Sequence, residues 1–551
     1  MYVYDPPYNK MRSAEFLDCH VLVIGSGGAG VRAAIEASGY GETILLSKTI
    51  AGKGGCTTMA EGGYNAVLRE EDSCEGHYED TMKGGAFLND PALVNTLVGE
   101  APDRMRDLLT WGAVFDVTDC SEVAQRPFGG QRFPRTCYAG DRTGHEMMAT
   151  LMDRLASSGV EILQEITVIH LFKDENTVTG ALGIDRKGGL LAIRSDSCVL
   201  ATGGGTRIYD ISTNSSSGTG DGYALGFRAG ADLIDMEQVQ FHPTGAVFPY
   251  DARGRLVTEA VRGEGGILRN AQNERFMSKY DPERMELSTR DVVSRSIATE
   301  ILEGRGTTHG GVYLDVTHLS RSQIECRLPV MLEQFLKFGV DIRDEPMEVA
   351  PTAHHIMGGL RITPDGQSTV PCLYACGEVA GGVHGANRLG GNALAETQVF
   401  GKRAGEAAGK AKKRVKKIQK KEIETQEKRL SGFYTGDVLP TTVARSLQVA
   451  MWESAGIFRT AKELEKTLEV IKHLSSLSLK ASGESNLAEC CTVQNMLTAA
   501  SLVVKGAMLR KESRGAHVRK DVTQTWDAQS SPYGHTWQNL KGSGIEKGGK
   551  A

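Results

Sequence analysis

No stretch of this 551-residue chain approaches the roughly 18 consecutive apolar residues that a membrane-crossing helix needs, so the sequence predicts no transmembrane segment. Residues 1–20 are polar and contain proline. They have neither the apolar core of a secretion signal nor a twin-arginine pair, which predicts a cytoplasmic chain. The 11 cysteines form no ladder. Cys372 with Cys376, and Cys490 with Cys491, are the close pairs, and neither has zinc-ribbon or ferredoxin spacing. The expectation is buried or free thiols and no metal held by this chain alone. Positive charge is not in excess either. The 63 Lys and Arg stand against 68 Asp and Glu, for a net charge of −5, which removes the electrostatic case for nucleic acid. No internal repeat is visible.

What is present is enough apolar sequence for several cores, 40% of residues against 24% charged. The length suggests about three or four structural units. The 66 glycines gather in particular loops, where backbone has to come close to a ligand. The first such loop follows the run Cys19-His-Val-Leu-Val-Ile24 and reads Gly25-Ser-Gly-Gly-Ala-Gly30. A helical pattern over residues 31–38 and a strand over 43–46 complete a parallel βαβ unit. Further strands are expected over residues 160–163, 177–184 and 190–201, the last running into Thr202-Gly-Gly-Gly205. A third glycine-rich segment begins much later, at Leu373-Tyr-Ala-Cys-Gly-Glu378. A cofactor domain split by an insertion, leaving near residue 236 and returning near 350, accounts for that spacing. Residues 402–429 are dense in Lys, Glu, Gln and Ala and read as an exposed helix with paired charges; a patch for nucleic acid or an acidic partner is the alternative. Periodic apolar residues over 442–510 suggest a helical domain, and the tail beyond Trp526 reads as loosely ordered.

Gly25-x-Gly27-x-x-Gly30 stands where a dinucleotide site needs it, after a strand and opening a helix. Gly25 permits the tight turn, Gly27 lets a pyrophosphate approach the backbone, and Gly30 allows close helix–strand packing. The helix N-terminus then faces the phosphates. A glycine-rich structural turn is the competing reading. The acid that usually ends the second strand and holds a ribose is missing, since Ser47 and Lys48 stand there; this argues against NAD. Two further glycine clusters, at residues 202–205 and 377–391, could wrap the larger FAD. Asp221 and Glu378 are candidates for its ribose and ribityl hydroxyls.

Eight segments then occur in order. They are Met59-Ala-Glu-Gly-Gly63, Gln125-Arg-Pro-Phe-Gly-Gly130, His242-Pro-Thr-Gly245 and Thr258-Glu-Ala-Val-Arg-Gly-Glu-Gly265. They continue with Glu286-Leu-Ser-Thr-Arg-Asp291, Pro351-Thr-Ala-His354, His384-Gly-Ala-Asn-Arg-Leu-Gly-Gly391 and Arg510-Lys-Glu-Ser-Arg-Gly-Ala-His517. Through them the chain resembles the flavoprotein subunits of succinate dehydrogenases and fumarate reductases, and the related L-aspartate oxidases. The resemblance implies an α/β fold with a split Rossmann-like FAD-binding domain (residues 1–235 and 351–415) and an inserted α+β capping domain (236–350). A C-terminal helical domain (416–515) and a tail (516–551) complete the expected chain. It also implies that Gly28, Gly55, Cys56, Thr57, Gly62, Gly63, Asn392 and Leu394 join Gly25, Gly27, Gly30, Ser47, Lys48, Asp221 and Glu378 around FAD.

Fumarate, the substrate this resemblance implies, is a small dianion that needs cations and donors at both ends and an acid between them. The resemblance assigns Arg388 and His354 to one carboxylate, and His242 and Thr258 to the other. Phe128 would lie near a carboxylate and help twist it out of conjugation. The proton that follows hydride transfer from FAD N5 maps to Arg290, with Glu259 and Arg262 reloading it. A guanidinium stays protonated, with a pKa of about 12 or more, but the developing carbanion is a strong enough base to take its proton. Without the family motifs, His242 would read as a structural histidine and Arg290 as a surface charge. Glu264 is a further candidate, and His355, standing where the family often has Tyr, receives no role.

Two departures matter. Membrane-bound members join flavin covalently to a histidine, and Cys56 takes that position here; non-covalent FAD is the expectation, a cysteinyl link the alternative. Loss of the covalent bond lowers the flavin potential and favours fumarate reduction. L-Aspartate oxidase also lacks the histidine, and residues 291–295 look somewhat like that enzyme. Its glutamate for the substrate amino group is replaced by Phe128, however, which favours fumarate. With no iron–sulfur spacing in this chain, the resemblance implies an iron–sulfur partner subunit. The soluble enzymes that oxidise coenzyme M and coenzyme B to their heterodisulfide fit best. A quinol-linked enzyme is the close alternative, and a flavin electron-transfer module the non-enzymatic one.

Overall fold

The computed structural model describes residues 14–412, 418–524 and 526–548. The polar segment 1–13, residues 413–417 of the expected charged helix and residues 525 and 549–551 of the tail lie outside them. The central sheet grows from strand Glu15–Ile24, whose last six residues are all buried, as expected of a strand covered on both faces. It runs parallel to Thr43–Ser47 on one side and to Leu190–Leu200 on the other, and Thr43–Ser47 passes on to Glu161–Gln164. Strand Leu190–Leu200 changes neighbour part-way. Its first half pairs antiparallel with Thr177–Ile184, and its last residues pair parallel with Leu373–Ala375. Strand Thr167–Asp174, not foreseen from the sequence, closes that edge.

This pairing brings three distant glycine turns to one edge. The Gly25 amide donates to the Leu46 carbonyl (2.8 Å), the Ala201 amide to Ile24 (2.8 Å) and the Cys376 amide to Leu200 (3.1 Å). The carboxyl ends of parallel strands are where open α/β sheets bind ligands. Gly25 has φ +114°, and a Cβ on it would run into the Ala201 carbonyl. A Cβ on Gly30 would strike the Gly25 carbonyl, so helix Gly28–Ser38 starts directly above the strand end.

A second, antiparallel sheet runs Val239–Phe248, Met347–Ile356, Val312–Asp315, Ile267–Arg269. With helices Arg290–Glu300 and Pro329–Leu336 it encloses a separate core that includes Val261, Phe276, Ile297, Leu314 and Phe335. Its two long strands belong to both cores. Val239, Phe241, Ala353 and Ile356 pack into the main one; Ala246, Met347 and Val349 pack into the second. His242 and His354 stand at the changeover.

Helices Lys420–Gly432, Pro440–Ser454, Ala461–Ser476 and Leu487–Leu509 follow. One helix, Glu484–Leu509, is long and apolar enough by length and composition to cross a membrane. Its apolar window is 72% buried within the protein, as in a core helix. The exposed charged helix is corrected. Residues 402–409 finish helix Asn392–Gly409, where Ala404 and Ala408 are buried in the main core, and a new helix starts at Lys420. The tail is not loose: Tyr533–Asn539 and Gly542–Lys547 form a hairpin whose first strand pairs with Leu233–Ile234. Buried Arg510 ties this region together, donating to Glu237 (2.6 Å), Glu512 (2.8 Å) and Asp235 (3.0 Å). The inward residues of that strand, Thr536 and Gln538, are polar, so no apolar alternation announces it.

Candidate active site

A cavity of about 720 Å³ is lined at once by the glycine turns and by the two histidines of the core seam. On the turn side it meets Gly25, Gly27, Gly28, Ser47, Lys48, Gly55, Cys56, Thr57, Gly62, Gly63, Asp221, Glu378 and Leu394. Any Cβ on Gly204 would collide with the Glu378 carboxylate, and one on Gly28 would come within 2.9 Å of Thr57 Cγ2. The wall is a cradle shaped by absent side chains, with the N-termini of helices Gly28–Ser38 and Asn392–Gly409 at its edge. Both ends present partial positive charge, which suits the pyrophosphate and the electron-rich ring of FAD. The residues present fit that cofactor.

Several expected cofactor residues are already bound to one another. The Asp221 carboxylate accepts from Lys48 Nζ (2.8 Å), Thr219 Oγ1 (2.9 Å) and Asn495 Nδ2 (2.7 Å). Burial pushes its pKa up, but Lys48 and these donors outweigh it and leave the pKa below the usual carboxylate value. Glu378 accepts from the Ile356 amide (3.0 Å), and burial moves it up to about 7. Burial, with the charge of Glu378, pushes the Cys56 thiol up to about 12. Asn392 and Gly30 do not line the cavity. Asn392 is fully buried and bonded to Asn65 (2.7 Å), His77 (2.9 Å) and Thr81 (3.0 Å), so its side chain braces the wall from behind.

On the seam side the cavity meets His242, Thr258, Glu259, Arg290, His354 and Arg388. Arg290 Nε donates to Glu259 Oε2 at 2.9 Å, and Arg262 Nη2 lies 3.8 Å from the same oxygen. Glu259 Oε1 accepts from the Gly129 amide at 3.0 Å. Arg262 itself is set back, donating to the Glu286 carbonyl at 2.6 Å. Burial, then Arg290, pushes Arg388 down to about 9. His242 Nδ1 accepts from the Thr244 amide at 3.3 Å, which leaves the hydrogen on Nε2. Burial, then Arg290 and Arg262, hold this imidazole well below the usual histidine range, so it is neutral. Burial, then Arg290, His242 and Arg388, hold His354 well below the usual range as well, so it too is neutral. Thr258 caps helix Glu259–Gly263, accepting from the Ala260 amide at 3.4 Å.

Phe128 is buried beside the cavity, not on its wall. A Cβ on Gly390 would come within 2.6 Å of its ring and 3.3 Å of Arg290 Nη2, which puts the ring next to Arg290. Glu264 lies 3.6 Å from Arg327 in a partly exposed surface pair, away from the cavity wall. His355 lines the cavity 3.5 Å from Glu378.

Two residues were missed. Gln240 Oε1 accepts from both Arg290 Nη1 and Arg388 Nη2, each at 3.3 Å, while its amide donates to Asn387 Oδ1 (2.8 Å) and the Arg388 carbonyl (2.7 Å). Its place two residues before His242, on the same strand face, was the available signal. Thr213 Oγ1 lies 2.7 Å from His354 Nδ1, and nothing in its serine-rich loop singled it out.

Residues 20–394 match the family described as FAD binding domain, and residues 444–546 the one described as fumarate reductase flavoprotein C-term. A fumarate reductase (CoM/CoB) subunit of Methanothermobacter marburgensis is 52% identical over 525 residues, 93% of this chain and 96% of that one. The mitochondrial succinate dehydrogenase [ubiquinone] flavoprotein subunit of Oryza sativa subsp. japonica is 37% identical over 563 residues, 94% of this chain and 88% of that one. Among solved structures, E. coli quinol fumarate reductase FrdA superposes with a TM-score of 0.91 at 34% identity, covering 98% of this chain and 97% of that one. The chain belongs to the flavoprotein subunits of the fumarate reductase and succinate dehydrogenase family, which are FAD-dependent oxidoreductases.

Proposed function

We propose that this chain is the catalytic subunit that reduces fumarate to succinate. The observation that carries the reading is the charge of the buried pocket. At the seam end of the cavity three guanidiniums (Arg262, Arg290, Arg388) face one carboxylate (Glu259) and two neutral imidazoles, a local excess of positive charge for a ligand with two negative ones. L-Aspartate would bring an ammonium group as well. The carboxylate nearest the guanidiniums, Glu259, is already spent on Arg290 and Gly129, and the apolar Phe128 packs beside the cavity next to Arg290.

Arg388 and His354 would hold one carboxylate, and the Nε2–H of His242 with the Thr258 hydroxyl the other. FAD, once bound and reduced, would supply the hydride for one alkene carbon. Arg290, held 2.9 Å from Glu259, would protonate the adjacent carbon, its permanent charge also stabilising the developing negative charge. Glu259 and Arg262 would return a proton to it. A Cys56 thiol pushed up to about 12 is not a thiolate nucleophile, which supports non-covalent FAD. An iron–sulfur partner subunit supplies the electrons in this reading, in a cytoplasmic setting. Coenzyme M and coenzyme B thiols are the proposed source, because a relative 52% identical carries that donor pair in its name.

The test is to reduce the purified FAD-loaded chain with dithionite and follow reoxidation by fumarate, with L-aspartate oxidation run beside it. Rapid fumarate-dependent reoxidation without aspartate turnover is expected. Flavin reduction by L-aspartate with no response to fumarate would replace the reading with an amino-acid oxidase.

A further inference from the structure

The two site histidines look alike in sequence but are held differently. His242 takes a backbone amide on Nδ1, a partner that can only donate, so its hydrogen is fixed on Nε2. His354 has Arg388 Nη2 at 3.1 Å from Nε2 and the Thr213 hydroxyl at 2.7 Å from Nδ1. A guanidinium has no acceptor, so Nε2 must carry the lone pair, and the single hydrogen of the neutral ring sits on Nδ1 and points to Thr213. In this state His354 has no hydrogen to offer a carboxylate, and Arg388 spends one of its donors on the ring.

Thr213 is the group that lets this be reversed. Its oxygen now accepts from Nδ1–H, while its own hydrogen is directed at the Ala353 carbonyl, 3.5 Å away. Rotation about the Cβ–Oγ1 bond turns that hydroxyl into a donor to a bare Nδ1, giving up only the long contact to the Ala353 carbonyl. Imidazolium formation is the other way to gain an Nε2 hydrogen. The charges facing the ring, on Arg290 and Arg388, oppose it, and no carboxylate among the described residues contacts His354 to compensate.

We infer that dicarboxylate binding exchanges the tautomer of His354 from Nδ1–H to Nε2–H, with Thr213 as the positioning residue that satisfies both forms. The inference rests on the dicarboxylate reading of this cavity. Arg388 turns from the ring to the carboxylate, Nε2–H becomes a second donor to it, and the Thr213 hydroxyl swings from acceptor to donor. Nδ1 gives its proton to solvent water and Nε2 takes one from solvent water, so the ring takes up no net proton.

The experiment uses the full FAD-loaded chain in its oxidised state, where fumarate can bind without turnover. Nitrogen-15 spectra of labelled histidines, with His354→Gln to assign the signal, report which ring nitrogen is protonated. The expected result is Nδ1 protonated without fumarate, Nε2 protonated with it, and no proton uptake attributable to this ring. Thr213→Ser should reproduce that exchange. Thr213→Val should weaken fumarate binding about tenfold while FAD stays bound, because the unliganded ring can turn to water but the liganded ring keeps an unpaired nitrogen. An Nε2–H tautomer already present without fumarate, an unchanged ring with fumarate bound, two protonated nitrogens in the complex, or unaltered binding in Thr213→Val would each overturn the inference. Failure of fumarate to bind the wild-type chain at all would instead remove the dicarboxylate reading beneath it.

Discussion

Replacing Glu259 by Gln isolates the charge at the centre of the site. The carboxylate accepts from Arg290 on one oxygen and from the Gly129 amide on the other; a Gln amide can accept only on one end, so one bond is lost along with the charge. Burial pushes the pKa of Glu259 up, but Arg290, Arg262 and the Gly129 amide together outweigh it and hold the group at about 2, against 4.5 for a free carboxyl. A depression of about 2.5 units corresponds to about 3 kcal/mol of stability. Its sign follows from the depressed folded-state pKa: the contribution is full above the unfolded value and is lost as pH falls from about 4.5 towards 2. Denaturant unfolding should therefore show Glu259→Gln less stable than wild type by about 3 kcal/mol at pH 7, a gap that closes as the pH is lowered towards 2. If Glu259 reloads Arg290, steady-state fumarate reduction should fall about a hundredfold or more, with fumarate affinity much less affected. Equal stability at pH 7 would refute the ion-pair reasoning. Unchanged turnover in a variant that still binds FAD would refute the relay.

Other outcomes follow from the same geometry. Arg290→Lys keeps a positive charge but loses the Nε bond to Glu259; stopped-flow reoxidation should slow by about 10²-fold or more with FAD still bound, and an undiminished rate would assign the acid elsewhere. Acid precipitation of the wild-type protein should release all flavin to the supernatant, whereas a yellow pellet would mean that Cys56 bonds it. Gly25→Ala, which forces a Cβ onto the Ala201 carbonyl at φ +114°, should abolish FAD retention in gel filtration; a retained flavin would mean that the turn relaxes. Phe335→Ala removes a fully buried ring from the second core, at a cost of about 3–5 kcal/mol. It should lower the temperature at which fumarate turnover is lost more than that of FAD release, and equal shifts would show that the two cores melt together.

The nucleotide side was legible because its chemistry is local. A strand, a glycine turn and a helix are contiguous in sequence, and the physical need for Gly25, Gly27 and Gly30 can be stated without a partner. The seam side was legible only through motif resemblance, since His242, Glu259, Arg290, His354 and Arg388 come together by strand pairing and domain packing that no spacing reveals. Where resemblance gave no pointer, the residues were missed: Gln240 and Thr213 are common polar types whose importance lies wholly in what faces them. Asn392 shows the opposite failure. It adjoins the glycine turn that borders the cofactor cavity, yet its side chain is consumed by Asn65, His77 and Thr81. The tail hairpin and the true end of helix Asn392–Gly409 were misread for a related reason. Thr536 and Gln538 are polar residues buried against partners, while Ala404 and Ala408 are small residues buried beneath a charged surface, so composition pointed the wrong way in both places.

Gln240 also explains how two like charges remain side by side before substrate arrives. Arg290 and Arg388 share its Oε1, and Arg388 leans as well on the Nε2 lone pair of His354. Both acceptors are neutral. A carboxylate at either place would satisfy the guanidiniums better, but it would also cancel the charge that recruits the dianion. Fumarate would then have to displace a paired buried anion, or share the pocket with it, and breaking a buried ion pair costs about 3–5 kcal/mol. Neutral acceptors hold the arginines in place with oxygen and nitrogen lone pairs where carboxylate oxygens would dock, and they can be exchanged for those oxygens without burying or exposing any net charge of the protein's own. In the proposed reading the seam end of the pocket is thus preorganised in geometry but left with an excess of positive charge, which a dicarboxylate would neutralise.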